Sequence, residues 1–164
     1  MPDDINSFFE ADEDSQKGMY LVFALDDEEY GIEINYVTEI IGIQNIVQKP
    51  GLPEFIAGII DLRGKKIPVV DTRLIFNKVS SAYTDRTCVI ALDIENMPLG
   101  LIADRVSEVV TISDEDIVDP PPIYKMSGGT HIKAIGKTKN GVKLLLDCEK
   151  LLTEAEQNEL KSAI

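Results

Sequence analysis

The sequence predicts a mainly β protein made of two small β-barrels related by internal duplication, with short helices and a helix at the C-terminus. Two observations lead to this fold class. Short apolar runs recur between turn-forming residues, which is typical of small barrels, and the chain of 164 residues repeats itself once. Because tryptophan is absent and aromatic residues make up only 6% of the chain, isoleucine, valine and leucine must fill the core.

The repeat is visible when residues 23–43, FALDDEEYGIEINYVTEIIGI, are aligned with residues 90–112, IALDIENMPLGLIADRVSEVVTI. Both segments open with Ala-Leu-Asp after an apolar residue, reach Gly31 or Gly100, and continue with valine, a hydroxyl residue, glutamate and a β-branched pair. In this alignment the second copy has two extra residues before its glycine. Further on, VVDTRLIF matches LLDCEKLL. Two long copies indicate a duplicated small domain.

Turn signals separate the predicted strands. The apolar run at 19–25 ends at a polar hairpin tip at 26–29. Arg63-Gly64 and Asn140-Gly141 predict two more hairpins, and the Asn-Gly pair favours a type I′ turn. Pro68 cannot donate a hydrogen bond within a sheet, so its strand is expected at an edge or at a barrel seam.

Polar residues mark the helical segments. Asp71 and Asp147 each precede a short apolar turn, and both are interpreted as helix N-caps. Thr153 and Glu156 have the spacing of a capping box, which predicts a C-terminal helix over about residues 154–162.

Charge restricts the possible partners. The net charge is −13, and residues 1–17 form an acidic segment that we expect to be a disordered arm. Such a chain should repel nucleic acid and anionic lipid, so its large partners should be neutral or locally basic. The N-terminus has no features of a signal peptide, and no apolar run has the length of a membrane helix.

The sequence offers little support for catalysis, cofactors or metal binding. The single histidine, His131, suggests no catalytic pairing, and histidine and cysteine are too few for a zinc site. Cys88 and Cys148 are interpreted as buried thiols of a reduced protein. Carboxylates near Arg63, such as Asp61, leave a carboxylate-dependent enzyme as a remote alternative.

Three blocks of sequence resemble the CheW family of chemotaxis coupling proteins. They are YGIEINYVTEIIG, FIAGIIDLRGKKIPVVDTR and, in the second half, LGLIADRVSEVVTI with IKAIGKTKNGVKLLLDCEKLL. The resemblance covers about residues 18–153. It implies two intertwined five-stranded SH3-like barrels, the first mainly 18–80 and the second mainly 86–150, with strand or terminal exchange possible, followed by a helix at 154–164.

The resemblance also implies a non-enzymatic cytoplasmic adaptor at receptor arrays on the inner face of the membrane. Such an adaptor links transmembrane chemoreceptors, bound through their cytoplasmic tip, to the regulatory domain of the histidine kinase CheA, and touches the membrane only through the receptors. Weak contacts of this kind predict a monomer in dilute solution. Adaptors in systems with another output, such as surface motility, and a small-molecule-binding barrel remain alternatives.

Individual residues are assigned by their position in the family motifs. The receptor-binding set is Arg63, Val37, Gly58 and Cys88. The kinase-binding set is Ile34, Glu39 and Ile123, the last in a segment that begins at Val118 and contains three prolines. Asp61 stands where an asparagine is usual, and its charge could either hold the Arg63 guanidinium or weaken its reach toward a receptor.

Overall fold

A computed structural model of the chain describes residues 17–43, 46–122 and 131–163. The strands in this part of the chain are β1 Met19–Leu25, β2 Glu28–Glu33, β3 Val37–Gly42, β4 Ile56–Leu62, β5 Lys65–Val70, β6 Cys88–Ile94, β7 Met97–Ala103, β8 Arg105–Thr111, β9 Ile117–Val118, β10 Ile132–Thr138 and β11 Gly141–Leu146. The α-helices are α1 Thr72–Ile75 and α2 Glu154–Ala163, and single 3₁₀ turns cover Ile34–Tyr36, Asp114–Asp116 and Cys148–Lys150.

The strands form two sheets, and each sheet contains strands from both halves of the chain. The first sheet has the order β8-β1-β2-β11-β10-β9, and the second has the order β3-β6-β7-β5-β4. The hairpin β1–β2 of the first half therefore lies among strands of the second half, and the hairpin β6–β7 lies among strands of the first half. The predicted mainly β, two-barrel, intertwined architecture is confirmed.

The pairing register shows the duplication more accurately than the sequence does. Val22 pairs with Gly31 in the first hairpin, and Ala91 pairs with Gly100 in the second. Each hairpin then meets its flanking strand through a register shift at the same place, between β1 and β8 and between β6 and β3.

These equivalences leave no room for an insertion. The two hairpins match at a constant spacing along the chain, so Ala24 corresponds to Asp93 and not to Ala91. The alignment of the two Ala-Leu-Asp triplets was therefore wrong. The triplets match in letters only, because hydrogen-bond register and not local identity determines which positions are equivalent.

Each of the four hairpins has a two-residue turn. Arg63 and Gly64 have φ values of 53° and 84°, and Glu95 and Asn96 have values of 51° and 68°, as a type I′ turn requires. In the β10–β11 hairpin, Thr138 pairs with Gly141, so the loop consists of residues 139 and 140. Neither loop residue has a positive φ, whereas Gly141 has a φ of 111°. The type I′ prediction for Asn140-Gly141 was wrong, because the glycine lies one position beyond the loop.

Pro68 lies in an interior strand, so the edge alternative was wrong. Strand β5 runs between β4 and β7. The parallel pairing of β5 with β7 involves only Val69 and Val70, so this pairing begins immediately after Pro68. The seam alternative fits this arrangement, because the missing N–H falls where the second partner strand has not yet joined.

The capping predictions had mixed outcomes. The Leu74 N–H donates to the Asp71 side chain at 3.1 Å, which confirms that N-cap. Asp147 precedes a 3₁₀ turn and makes no capping hydrogen bond there. At the start of α2, the Thr153 N–H donates to Glu156 Oε1 at 2.8 Å and the Glu156 N–H donates to Thr153 Oγ1 at 3.1 Å, which confirms the capping box.

Both sheets contribute to one main core, which includes Leu21 of β1, Ile90 of β6 and Leu160 of α2, each with no exposed surface. Tyr30 stacks on Phe23 with ring centroids 5.3 Å apart and also contacts Phe76 at 4.8 Å. The hydrophobic effect therefore couples the two sheets and the C-terminal helix into one unit.

Replacing Thr153 by alanine should lower the free energy of unfolding by about 1 kcal/mol, because the capping bond at the start of α2 is lost. Urea denaturation followed by circular dichroism measures this change, and the burial of Leu160 couples α2 to the global transition. Ser162→Ala is the matched control, since that hydroxyl contacts only a carbonyl within the helix. Equal effects of the two substitutions would contradict the capping role.

Candidate docking site

The β4–β5 turn presents Arg63 to the solvent. Its side chain is 77% exposed, yet its guanidinium makes a bidentate ion pair with Glu39 of β3. Arg63 Nη1 and Nη2 lie 2.9 Å from Glu39 Oε1 and Oε2. Strands β3 and β4 are the outermost strands of the second sheet, so the pair connects its two ends. The planar fork of arginine suits this geometry, whereas lysine would offer only a point charge.

Asp61 stabilises the turn and does not hold Arg63. Its carboxylate accepts hydrogen bonds from the Gly64 N–H at 2.9 Å and from Lys66 Nζ at 2.6 Å. The hydrogen bond from Lys66, followed by that from Gly64, lowers the pKa of the Asp61 carboxyl. The hypothesis that Asp61 holds the guanidinium was therefore wrong, because Glu39 from a distant strand occupies that position.

A groove of about 410 Å³ separates the two sheets where the end of β3 faces the start of β8. We call it the inter-sheet groove. Its lining residues are Ile40, Ile41, Gly42, Asp85, Arg86, Thr87, Cys88, Arg105 and Val106. Apolar side chains from both sheets thus lie beside two arginines and one acid, Asp85, so the charged lining is net positive in a protein whose net charge is −13. Such a surface favours an amphipathic partner segment that carries acidic side chains.

Gly58 is buried where a second segment of the chain approaches closely. A Cβ atom at this position would lie 2.4 Å from Ile46 Cγ2 and 2.8 Å from the Val47 carbonyl oxygen. Val47 and Ile59 exchange two backbone hydrogen bonds of 2.9 Å at this point. Any larger residue would displace the segment at 46–47, so Gly58 can affect a docking surface only through the backbone that it positions.

The other predicted site residues differ widely in exposure. Val37 and Ile34 are 4% and 0% exposed and belong to the main core, so they would act on a partner through the surface above them. Cys88 lines the inter-sheet groove, although only 8% of its surface is exposed. Ile123 lies outside the described residues. The structure thus brings Arg63 and Glu39 into direct contact. It places Cys88 in the inter-sheet groove, paired with Gly42 at the end of β3.

The remaining candidates for chemistry have structural roles. His131 Nδ1 lies 3.0 Å from the Lys150 carbonyl oxygen, and its ring packs edge-on against Phe76. Both cysteines are free and buried. Burial raises the pKa of the Cys88 thiol to about 11 and that of Cys148 to about 12. Within the three described ranges, histidine, cysteine and acidic side chains form no group of three or more that could hold a metal ion.

Sequence reasoning missed Arg86 and Arg105 as groove residues. Arg105 begins β8 of the first sheet, and Arg86 precedes β6 of the second. Their proximity follows from the exchange of hairpins between the two halves. The sequence carries no distinct signal for them, because each arginine directly follows an aspartate, Asp85 or Asp104, and so does not stand out as a basic patch.

The sequence was compared with models of protein families. Residues 19–156 match the model described as the CheW-like domain. The chain belongs to the CheW family. The match includes both sheets and the start of α2, so the whole two-barrel unit, with the candidate docking site, corresponds to this family's domain.

Individual CheW relatives agree with this assignment. A chemotaxis protein CheW from Klebsiella aerogenes is 33% identical over 137 residues, covering 84% of this chain and 82% of the relative. A Treponema pallidum CheW is 29% identical over 144 residues, covering 85% of each chain. The protein FrzA of Myxococcus xanthus is 26% identical over 140 residues, covering 84% and 87%.

The fold is also similar to a solved CheW structure. A crystal structure of the scaffolding protein TtCheW from Thermoanaerobacter tengcongensis aligns with a TM-score of 0.77 and 32% identity, covering 85% of this chain and 90% of that one. Together with the CheW relatives, this similarity supports the predicted adaptor function in chemotaxis. Members of the family are scaffold proteins, which is consistent with a non-enzyme. None of the helices in the described ranges is long and apolar enough to cross a membrane.

The Arg63–Glu39 pair should contribute little to folding, because solvent screens an ion pair whose arginine is 77% exposed. A double-mutant cycle with Arg63→Ala, Glu39→Ala and the double variant should give a coupling energy below about 1 kcal/mol. Urea unfolding of the four proteins measures it. A coupling of about 3 kcal/mol or more would mean that the pair is a structural element of the barrel.

The folded protein should resist alkylation by iodoacetamide at pH 8. Only the thiolate reacts, and burial raises the pKa of Cys88 to about 11, so the reactive form should accumulate only as the pH approaches that value. Mass spectrometry should find neither thiol modified in the native state and both modified in urea. Rapid labelling of Cys88 at pH 8 would show that the groove opens readily.

Proposed function

We propose that this chain couples transmembrane chemoreceptors to a CheA-type histidine kinase, without enzymatic activity of its own, at receptor arrays on the cytoplasmic face of the membrane. It would bind the cytoplasmic hairpin tip of a receptor and the regulatory domain of the kinase. The observation that carries this proposal is the exposed Arg63–Glu39 pair, whose glutamate lies on β3, the strand whose Ile40 and Ile41 line the inter-sheet groove. Membership of the CheW family supports the adaptor role.

The receptor side of the proposal comprises Arg63 and the inter-sheet groove. A helical hairpin tip would lay apolar side chains against Ile41 and Val106 and direct carboxylates toward Arg86 or Arg105. Cys88 lies at the base of this surface. The remaining receptor-binding candidates, Val37 and Gly58, would act by shaping the β3 and β4 backbones, because both are buried.

The kinase side of the proposal centres on β3. This strand is an edge of the second sheet and pairs only with β6 in that sheet, and Glu39 projects from it with 21% of its side chain exposed. Ile34 is the buried residue of the 3₁₀ turn that leads into β3. A second contact would involve Val118, which is 39% exposed, and the segment that follows it, which includes the candidate Ile123.

The ion pair provides a route for coupling the two partners. Arg63 is assigned to the receptor side and Glu39 to the kinase side, yet Nη1 and Nη2 of Arg63 each donate to one carboxylate oxygen of Glu39. A receptor carboxylate that attracts Arg63 would release Glu39 for the kinase. By thermodynamic linkage, kinase binding to Glu39 would change receptor affinity by the same factor.

The similarity to FrzA of Myxococcus xanthus supports a second candidate. In this second candidate function, the chain is the adaptor of a chemosensory-like system that controls another output, such as surface motility. The same groove and ion pair would then serve a different receptor and kinase.

Isothermal titration calorimetry with a receptor-tip fragment and with the kinase regulatory domain tests the proposal. Arg63→Glu should weaken receptor binding by about tenfold or more and should not weaken kinase binding, because it frees Glu39, whereas Glu39→Ala should weaken kinase binding. Lys65→Glu is the control, since it makes the same change of charge at an exposed neighbouring position. Failure of the wild-type chain to bind either partner would overturn the proposal.

A further inference from the structure

The chain crosses from the second sheet into the first at a single residue, Asp104. Strand β7 ends at Ala103 in the second sheet, and β8 begins at Arg105 in the first. The Asp104 N–H donates to the Ala24 carbonyl oxygen of β1 at 3.0 Å. The conformation of this one residue therefore determines the direction in which β8 leaves the second sheet.

Arg73 of α1 holds the Asp104 side chain. Its Nη2 contacts Asp104 Oδ2 and also lies 2.8 Å from Asp26 Oδ1, while Nη1 donates to the Val79 carbonyl oxygen at 2.8 Å. The Asp26 N–H donates to the same Asp104 oxygen at 2.7 Å. Only 13% of the Arg73 side chain is exposed. The hydrogen bond between Asp26 and Arg73 lowers the pKa of the Asp26 carboxyl and raises the pKa of Arg73.

This ion cluster is directly connected to the inter-sheet groove. Arg105 follows Asp104 in the chain, donates from Nη1 to the Asp26 carbonyl oxygen at 3.3 Å, and lines the groove together with Val106. Those two residues form the β8 wall. The opposite wall is β3, which belongs to the other sheet. The width of the groove thus depends on the angle at which β8 leaves Asp104.

The second crossing between the sheets, at Ile34–Tyr36, has different residues at the equivalent positions. The duplication pairs Asp104 with Asn35, Asp26 with Glu95 and Arg73 with Glu149. An amide and two carboxylates cannot form an arginine-centred ion cluster. The cluster is therefore specific to the crossing that leads into β8, whereas the crossing that leads into β3, the opposite wall of the groove, lacks it.

We propose that Arg73 is a positioning residue for receptor docking: by holding Asp104 and Asp26 it fixes the angle between the two sheets and thereby the width of the inter-sheet groove. This inference rests on the proposed function, in which the receptor tip occupies that groove. Arg73 acts from outside the groove and contacts neither partner. It belongs to the VVDTR segment, whose aspartate caps α1 while the arginine reaches the other sheet.

The binding test uses the full-length chain with Arg73→Gln, Arg73→Lys and Asp104→Asn. We expect Arg73→Gln and Asp104→Asn to weaken binding of the receptor-tip fragment by about tenfold and to change kinase affinity less than twofold, with partial rescue in Arg73→Lys. Lys78→Gln is the matched control. Lys78 lies beside Val79, whose carbonyl binds Arg73, and it forms an ion pair with Glu28 of β2 without contacting Asp104. The control should bind both partners as the wild type does.

A distance measurement separates positioning from loss of stability. Spin labels at Asp93→Cys in β6 and Lys137→Cys in β10 place one exposed probe on each sheet, while both native thiols are buried. Double electron–electron resonance at a temperature where all variants are folded should give a broader distance distribution in Arg73→Gln than in wild type or Lys78→Gln. An unchanged distribution would overturn the inference.

The binding results distinguish this inference from the proposed function. Equal losses for receptor and kinase in Arg73→Gln would assign Arg73 a purely structural role, and unchanged affinity for both would show that the cluster does not affect the groove. Either result overturns the inference. If Arg63→Glu and Arg73→Gln both leave receptor binding intact while the wild type binds, the receptor-docking part of the proposed function fails as well.

Discussion

The exchange of hairpins between the two halves is the constraint on which the rest of the structure depends. In the first sheet β8 pairs antiparallel with β1, and β1 pairs antiparallel with β2. If β3 took the same place beside β1, it would run parallel to β2. Parallel strands in one sheet need a crossover of a dozen or more residues, whereas only Ile34–Tyr36 separates β2 from β3. Asp104 creates the same restriction between β7 and β8. Each hairpin must therefore join the other half.

This exchange explains why the two barrels share one core and why a groove exists between them. Residues from β1 and β6 lie in the same buried cluster, so neither barrel can be completed by its own half. It also places β3 and β8 at the sheet edges that bound the groove. One buried ion pair distinguishes the first sheet from its duplicate. Lys143 of β11 is 1% exposed and lies 2.7 Å from Glu29 of β2, whereas the equivalent of Lys143 in β5 is the apolar Ile67.

Local signals in the sequence predicted much of the fold, whereas contacts between distant segments were not accessible. The Asp71 cap and the Thr153–Glu156 capping box depend on residues within one turn, so spacing alone identified them. The Asn140-Gly141 turn type failed because the pairing register places the glycine one position beyond the loop. Asp147 lies at the N-cap position of a 3₁₀ turn but makes no capping hydrogen bond there. For Arg63, the nearby Asp61 was the obvious partner in the sequence. Barrel closure instead brings Glu39, which is 24 positions away.

Arg63 and Arg73 both form ion pairs with carboxylates, but their roles differ because their side chains differ in exposure. Arg63 is 77% exposed and Arg73 is 13% exposed. Solvent weakens the Arg63–Glu39 pair, so a partner carboxylate can replace Glu39 at little cost, which suits a residue that responds to binding. Arg73 contacts two carboxylates and a carbonyl at the crossing between sheets, where losing one of these acceptors would leave a mostly buried guanidinium with fewer partners. The first arrangement favours exchange of partners and the second favours a fixed geometry. The proposed function, in which a receptor tip docks in the groove while the surface pair exchanges partners, would use both arrangements.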